Sequence, residues 1–188
     1  MSKAIVFDLD GTLVDSAPDL MDAHNYVMKK FGYDQKPLTD IRRLAGRGAA
    51  NMILSSLKKE EKMFDQNIHK KMTEDFINYY RENISKKSQI IKGVNEFLIW
   101  GKSQKINFAI CTNKMESLAK KLLKEINLIE FFDYIAGADT FEYKKPDPRH
   151  LTNILEILDV KKEDSIMVGD SETDAETARI AKVKFILV

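Results

Sequence analysis

Short β-rich runs alternate with helical patterns along the second half of the chain. The apolar runs have the length of strands and occupy residues 106–111, 134–136, 165–168 and 185–188. The helical patterns lie between them, at residues 115–129, 149–158 and 172–181. Strands that alternate with helices pair in parallel through right-handed crossovers. With a first strand at residues 4–7, the chain is predicted to have an α/β fold, a Rossmann-like parallel sheet with helices on both faces.

Residues 16–87 interrupt this alternation. They contain no convincing strand, and their apolar spacing predicts helices at 18–31, 39–44, 49–57 and about 60–83. We therefore expect an α/β core of residues 1–15 and 88–188 and an all-helical module of residues 16–87 inserted into it. Hinges between the two are expected near residues 15–16 and 86–89.

Some remaining residues are expected to have structural roles. Phe97 and Trp100 lie at helical spacing and are predicted to pack in the core. His24, His69 and His150 have no metal-binding spacing with one another or with a cysteine, and are expected to be surface or structural residues.

Side chains suited to phosphate and metal chemistry follow the predicted strands. They are, in chain order, Asp8, Asp10, Thr112, Asn113, Lys145, Asp170 and Asp174. Ligands of an open parallel sheet bind outside the carboxyl ends of its strands. Aspartate also favours turns after strands, so any one of these residues has a purely structural explanation. The ordered set at successive strand ends nevertheless favours a binding site.

The first two aspartates, Asp8 and Asp10, are separated by one residue. On extended backbone this spacing directs both side chains the same way, where their charges repel unless a cation or a proton lies between them. With Asp170 nearby, such an all-oxygen pocket would select Mg²⁺. Lys145 could bind phosphate, and Thr112 could donate its hydroxyl to a phosphate oxygen. The chain has no GxxxxGK[ST] sequence, which argues against nucleotide hydrolysis by that route.

Four segments, in this order, resemble the signature motifs of the haloacid dehalogenase superfamily. They are DLDGT at 8–12, Thr112, KPDP at 145–148 and GDSETD at 169–174. The resemblance covers nearly the whole chain and implies that the helical module is a cap domain. It also implies a Mg²⁺-dependent phosphatase that acts on a small phosphomonoester. Dehalogenases of the superfamily lack the second aspartate of the first motif, so Asp10 favours phosphoryl chemistry.

The resemblance assigns roles in catalysis. It implies that Asp8 is the nucleophile that forms an aspartyl-phosphate. It implies that Asp10 is the general acid for the leaving alcohol and then the base that activates water. Thr112 and Lys145 are implied to hold the phosphoryl group and to stabilise its charge.

The resemblance also implies a metal and phosphate site. Asp8, Asp170 and the main-chain carbonyl of Asp10 would bind Mg²⁺, and Asp174 would complete the acidic set through a metal-bound water. Further phosphate-binding residues of the motifs would be Gly11 and Asn113.

Two more segments resemble phosphoglycolate phosphatases within the superfamily, GTLVDSAPDL at 11–20 and IRRLAGRG at 41–48. They imply a cap loop in which Arg47 could pair with a substrate carboxylate, although Arg47 could equally be an exposed residue at a helix end. The candidate substrate is therefore 2-phosphoglycolate, while phosphatases of sugar phosphates share similar cap segments. A sugar phosphomutase, or a catalytically silent regulatory or binding protein, stays open.

Charge and cysteine content bear on partners and location. The formal net charge is +1, with 30 basic and 29 acidic residues, which argues against nucleic acid or a membrane surface as a partner. Cys111 is the one cysteine, and no leader or membrane-length apolar run is present, so a cytoplasmic protein is expected. We expect a small phosphorylated metabolite as ligand and a monomer or homodimer. The chain stops at its fifth predicted strand, which would leave one sheet face less covered.

Overall fold

The computed structural model describes residues 3–58 and 65–188. Its strands are β1 (Ala4–Phe7), β2 (Val14–Asp15), β3 (Gln89–Ile90), β4 (Asn107–Cys111), β5 (Tyr134–Ala136), β6 (Ser165–Gly169) and β7 (Lys184–Leu187). Five of them form one parallel sheet in the order β5-β4-β1-β6-β7. The predicted α/β fold with a parallel sheet is confirmed.

Helices cover both faces of this sheet. The helices of the insertion are α1 (Ala17–Lys30), α2 (Leu38–Leu44), α3 (Ala49–Lys58) and α4 (Gln66–Glu82). The helices that follow are α5 (Val94–Ser103), α6 (Glu116–Glu125), α7 (Pro148–Ile157) and α8 (Glu172–Ala181). Successive side chains of β4 point to opposite faces, as in any strand. Phe108 and Ile110 join the apolar cluster beneath α5 and α6, whereas Ala109 and Cys111 join the cluster beneath α7 and α8.

The insertion lies between β2 and β3, which pair antiparallel, so both connections to the sheet run side by side. In the described residues between these strands the regular structure is entirely helical, as predicted. The predicted start of its last helix near residue 60 lies outside the described residues. α4 begins at Gln66, after an N-cap at Asp65 that accepts a hydrogen bond from the Asn67 amide at 2.7 Å. The assignment of residues 16–87 to a separate domain stays a prediction.

Two aromatic residues of α5 contradict the sequence prediction. Phe97 and Trp100 are 38% and 52% exposed, so the prediction that they lie in the core is wrong. The buried residues of α5 are Val94, Leu98 and Gly101. Helical spacing shows that residues share a face, but it does not say which face packs against the sheet.

Phe97 instead lines an apolar groove of about 470 Å³, together with Phe7 and Ile186.

Within residues 3–58 and 65–188, no helix is both long enough and apolar enough to cross a membrane.

Candidate active site

The register of the sheet brings the predicted site residues to one edge. Phe7, the last residue of β1, pairs with Ile110 of β4 and with Val168 of β6. The residues that follow these strands, including Asp8, Thr112 and Asp170, therefore leave the sheet at the same level. The expectation that ligand-binding groups gather at the carboxyl ends of the strands holds in the structure.

A single lysine joins two carboxylates at this edge. Lys145 Nζ lies 2.8 Å from Asp8 Oδ1 and 2.5 Å from Asp174 Oδ1, and all three side chains are buried. Burial raises the pKa of Asp8 to about 7, although the Lys145 charge opposes this shift. Burial also works to lower the pKa of Lys145, but the carboxylates of Asp8 and Asp174 outweigh it and raise the pKa. Lys145 is therefore held as a cation.

Asp174 is oriented by the start of α8. The Asp174 amide donates a hydrogen bond to Ser171 Oγ at 3.3 Å, and the Ser171 amide donates one to Asp174 Oδ2 at 3.1 Å, so the two residues form a capping box. The preceding strand ends at Gly169, where a Cβ would collide with the Asp174 side chain. One oxygen of Asp174 thus serves the helix and the other contacts Lys145, so its position is set by both.

Three carboxylates are close enough to share a metal ion. Oxygens of Asp8, Asp170 and Asp174 all lie within 4.8 Å of one another. Asp8 Oδ2 is buried and has no hydrogen-bond partner in the described part of the chain. A buried carboxylate oxygen without a donor is costly unless a cation or ligand compensates it. The all-oxygen donor set and the unpartnered oxygen fit a hard divalent cation such as Mg²⁺.

Gly11 shapes the same pocket. It has a φ of +91°, and a Cβ at this position would collide with the Asp170 carboxylate. Thr12 Oγ1 donates a hydrogen bond to Asp170 Oδ1 at 3.0 Å. The turn after β1 thus needs a glycine both for its backbone conformation and for the space that Asp170 occupies.

Asp10 has a different lysine partner from Asp8, although its charge helps to raise the pKa of Asp8. Its Oδ1 lies 2.7 Å from Lys114 Nζ and also accepts a short hydrogen bond from the Ser16 hydroxyl. The chain bends at Leu9, so the regular alternation of an extended strand stops before Asp10. The carboxylates of Asp8 and Asp10 are consequently each paired with a different lysine.

Lys114 is the residue that sequence reasoning missed. Its ammonium is buried and contacts Asp10 and, at 2.8 Å, the hydroxyl of Tyr80 in α4. The signal available in the sequence was its place directly after Thr112 and Asn113, at a strand end that already carried two predicted site residues.

Thr112 and Asn113 directly follow β4, at the strand end that the sequence predicted. Thr112 is fully buried, and its Oγ1 accepts a hydrogen bond from the Lys114 amide at 3.2 Å. Asn113 Nδ2 donates to the Lys145 carbonyl at 3.2 Å. The Asn113 carbonyl oxygen Oδ1 is buried and without a partner among the described residues, so it could accept a hydrogen bond from a ligand or a water.

The loop of residues 46–48 lies over the site. A Cβ at Gly46 would be 3.8 Å from Asp8 Oδ2, and a Cβ at Gly48 would be 3.2 Å from the backbone carbonyl oxygen of Asn113. Arg47 between them is exposed. The helical insertion therefore comes close to the carboxylate of Asp8. That this loop closes over a substrate stays a prediction.

A cavity of about 790 Å³ separates this part of the insertion from the sheet edge. Its walls carry cationic side chains from the insertion, Arg42, Arg43 and Arg47, and Lys145 and Asp170 from the core. Arg42 is bound to Asp15 by two hydrogen bonds of 2.6 and 2.7 Å. Arg43 and Arg47 form no ion pair within the described ranges, which leaves their charges available to an anion in the cavity.

Nearly the whole chain is similar to known proteins. Residues 5–188 match the sequence profile described as haloacid dehalogenase-like hydrolase. A phosphoglycolate phosphatase of Mesorhizobium japonicum is 37% identical over 98% of this chain and 81% of its own length. One of Nitrosococcus oceani is 33% identical over 98% of this chain and 82% of its own. A crystal structure of a predicted phosphoglycolate phosphatase from Haemophilus somnus has a TM-score of 0.91 at 27% identity, and the match covers 99% of this chain and 84% of that one.

Proposed function

The chain belongs to the haloacid dehalogenase-like hydrolase family, and we propose that it is a Mg²⁺-dependent phosphatase. In this proposal it hydrolyses a small phosphomonoester through an aspartyl-phosphate on Asp8. The observation that carries the proposal is the environment of Asp8. This carboxylate is buried at the sheet edge, paired with Lys145, and keeps one oxygen without a hydrogen-bond partner in the described residues.

The first half of the reaction would transfer the phosphoryl group to the protein. A carboxylate oxygen of Asp8 forms a bond to phosphorus while the bond from phosphorus to the leaving oxygen breaks. Asp10, as a carboxylic acid, gives its proton to that oxygen, which leaves as an alcohol. Lys145 and Thr112 hold the phosphoryl oxygens, and Asp8, Asp170 and Asp174 carry the carboxylates for Mg²⁺.

The second half would release phosphate. Asp10, now a carboxylate, takes a proton from a water that attacks phosphorus, and the bond between phosphorus and the Asp8 oxygen breaks. Inorganic phosphate leaves, and both aspartates return to their starting states. When bound, Mg²⁺ would neutralise phosphoryl charge and help to align the substrate.

The substrate we propose first is 2-phosphoglycolate. It has a phosphate for the sheet edge and a carboxylate for a second cationic site. Arg43 and Arg47 supply such a site in the cavity, and guanidinium groups suit carboxylates because both are planar. The names of the relatives from Mesorhizobium japonicum and Nitrosococcus oceani support the same choice.

Phosphate release from a panel of esters tests the proposal. The panel contains 2-phosphoglycolate, glycerol 3-phosphate, glucose 6-phosphate and p-nitrophenyl phosphate, each with Mg²⁺ and with chelator. We expect Mg²⁺-dependent release that Asp8→Asn abolishes, whereas Asp159→Asn, the same change at an exposed site, leaves it unchanged. A folded wild-type protein that releases phosphate from none of them would contradict the proposal. Transfer of phosphate to a second hydroxyl without net release would favour the phosphomutase instead.

A further inference from the structure

One ammonium group connects the helical insertion to Asp10. Lys114 Nζ donates to Asp10 Oδ1 at 2.7 Å and to the Tyr80 hydroxyl oxygen at 2.8 Å. Asp10 follows β1, Lys114 follows β4, and Tyr80 lies in α4 of the insertion. All three side chains are buried, with exposed fractions of 4%, 8% and 1%. The contact is therefore shielded from water.

The chemistry of this trio is unusual for a simple packing contact. Burying an ammonium and a phenol hydroxyl away from water costs free energy that an apolar pair of similar size avoids. Burial opposes the charge on Lys114, but Asp10 and Tyr80 outweigh it and raise the pKa of this lysine. The ammonium also lies 4.6 Å from the centroid of the Tyr80 ring. Lys114 thus stays charged and has partners on both sides.

The insertion is attached to the core elsewhere without this contact. Asp19 at the start of α1 accepts hydrogen bonds from the backbone amides of Lys87 and Ser88 at 3.0 and 2.7 Å. Arg42 of α2 binds Asp15 of β2. Both attachments lie at the connections between insertion and core, and neither contacts Asp10. Ser16, the N-cap of α1, donates a hydrogen bond to the Asp10 carboxylate, but it lies at the connection and not on α4. What the Tyr80 contact adds is a link from α4 to the carboxylate of Asp10.

We propose that Lys114 and Tyr80 are positioning residues that set the orientation of the Asp10 carboxylate according to the position of α4. When α4 is docked as in this structure, Tyr80 holds Lys114, and Lys114 holds the Asp10 carboxylate. When α4 moves away, Lys114 loses one of its two partners and Asp10 is held less firmly. This inference rests on the proposed function, in which Asp10 protonates the leaving alcohol.

Tyr80→Phe tests the link with little disturbance, because it keeps the ring and removes the hydroxyl. Tyr79→Phe is the matched control, since Tyr79 lies on the same helix and stacks on Tyr26, away from Lys114. The readout is kcat/KM with Mg²⁺, which reports the steps up to the first cleavage of a phosphorus–oxygen bond. Two esters are compared, 2-phosphoglycolate, whose alkoxide needs a proton to leave, and p-nitrophenyl phosphate, whose phenolate does not.

We expect Tyr80→Phe to lower kcat/KM for 2-phosphoglycolate by about tenfold, part of the 10²–10⁴ that general acid catalysis typically contributes. The value for p-nitrophenyl phosphate should change by less than about twofold, since that step needs little acid catalysis. Lys114→Met should give the same selectivity for the leaving group with a larger loss, and Tyr79→Phe should affect neither ester. An equal loss for both esters, or no loss for either, overturns the inference and leaves the proposed function intact.

A second measurement needs no turnover. Urea unfolding of Tyr80→Phe, Lys114→Met and the double variant, with chelator present, forms a double-mutant cycle. We expect the double variant to be about as stable as Lys114→Met alone, because the hydroxyl has then already lost its partner. Additive effects would overturn the link between α4 and Lys114. A wild type that hydrolyses neither ester overturns the proposed function and, with it, the role of Asp10, whatever the cycle shows.

Discussion

The ammonium of Lys145 lies 2.8 Å from the carboxylate of Asp8, and each side chain has only 1% of its surface exposed. The same ammonium contacts Asp174, so one buried positive charge faces two buried negative ones. This arrangement is unbalanced without a further cation. Burial is the main reason that the pKa of Asp8 is raised, while Lys145 opposes the rise and Asp174 adds to it. The excess of negative charge makes the neighbouring oxygens suitable for a metal ion.

Removing Lys145 should destabilise the protein strongly. Lys145→Met leaves Asp8 and Asp174 without their shared cation, and breaking a buried pair in this way typically costs about 3–5 kcal/mol. Urea unfolding in chelator would measure the loss. Lys144→Met is the control, because this neighbouring lysine is exposed and should change the free energy of unfolding by at most about 0.5 kcal/mol. Equal effects of the two variants would contradict the assignment of Lys145.

The metal-free protein should lose stability between pH 5 and pH 8 because of Asp8. Its pKa is about 7 in the folded protein and 3.8 as the ordinary value. Between these values the folded state keeps a proton that the unfolded state has released, so the contribution of Asp8 to stability falls as the pH rises. Asp8→Asn has no such titration. The free energy of unfolding of Asp8→Asn, relative to that of wild type, should therefore increase by about 1–3 kcal/mol from pH 5 to pH 8.

Urea unfolding of both proteins at the two pH values, with chelator, measures that difference. For Asp159→Asn, at an exposed position, the difference from wild type in the free energy of unfolding should not change with pH. If the free energy of unfolding of Asp8→Asn relative to wild type stays constant or falls as the pH rises, the pKa of Asp8 is not raised.

Gly11→Ala should weaken metal binding more than it weakens the fold. Gly11 and Gly93 both have a φ of +91°, but only at Gly11 would a Cβ strike Asp170, whereas nothing lies within 4 Å of a Cβ at Gly93. Both variants should lose about 1–2 kcal/mol through backbone strain. Only Gly11→Ala should also lower the Mg²⁺ affinity, by about 10–100-fold as for other changes that displace a metal ligand. Calorimetric titration with Mg²⁺ compares the two, and similar affinities would contradict the role of Asp170.

The connection between core and insertion should depend on Asp19. Its buried carboxylate accepts hydrogen bonds from the amides of Lys87 and Ser88 and from the Ser88 hydroxyl. Asp19→Ala should cost about 2–3 kcal/mol, as expected when hydrogen bonds to a charged group are lost. Asp22→Ala on the same helix removes only an exposed ion pair with Lys87 and should cost at most about 1 kcal/mol.

Urea unfolding and hydrogen exchange at residues 87–88 distinguish these variants. Exchange should become faster in Asp19→Ala and stay close to wild type in Asp22→Ala. Unchanged exchange in both would show that this carboxylate does not hold the connection.

Arg47 should contribute to binding of a carboxylate rather than to chemistry. Arg47→Ala should raise KM for 2-phosphoglycolate by about 10–100-fold, the equivalent of one charge-assisted hydrogen bond, with kcat little changed. KM for p-nitrophenyl phosphate, which has no carboxylate, should stay within about twofold of wild type. Arg81→Ala, at an exposed arginine of α4, is the control. If KM rises by the same factor for both esters, Arg47 contacts the phosphate instead of the carboxylate.

Local sequence patterns were sufficient to predict which side chains lie at the edge of the sheet. The apolar runs that became β1, β4 and β6 identify where each strand ends, and a parallel sheet aligns those ends. Asp8, Thr112 and Asp170 could therefore be placed at one edge. The same reasoning failed for Phe97 and Trp100. Helical spacing shows that two residues share one face of a helix, but it does not show whether that face turns to the sheet or to solvent.

The partners of the buried charges depend on residues far apart in the chain. Asp10 and Lys114 are separated by 104 positions, and Lys114 and Tyr80 by 34. An ion pair is favourable only when its atoms come within a few ångströms, and that separation results from how α4 packs and how the chain bends at Leu9. The order of strand ends along the chain settled which groups meet at the sheet edge. Packing settled which lysine neutralises which carboxylate, because no local pattern encodes distances between elements.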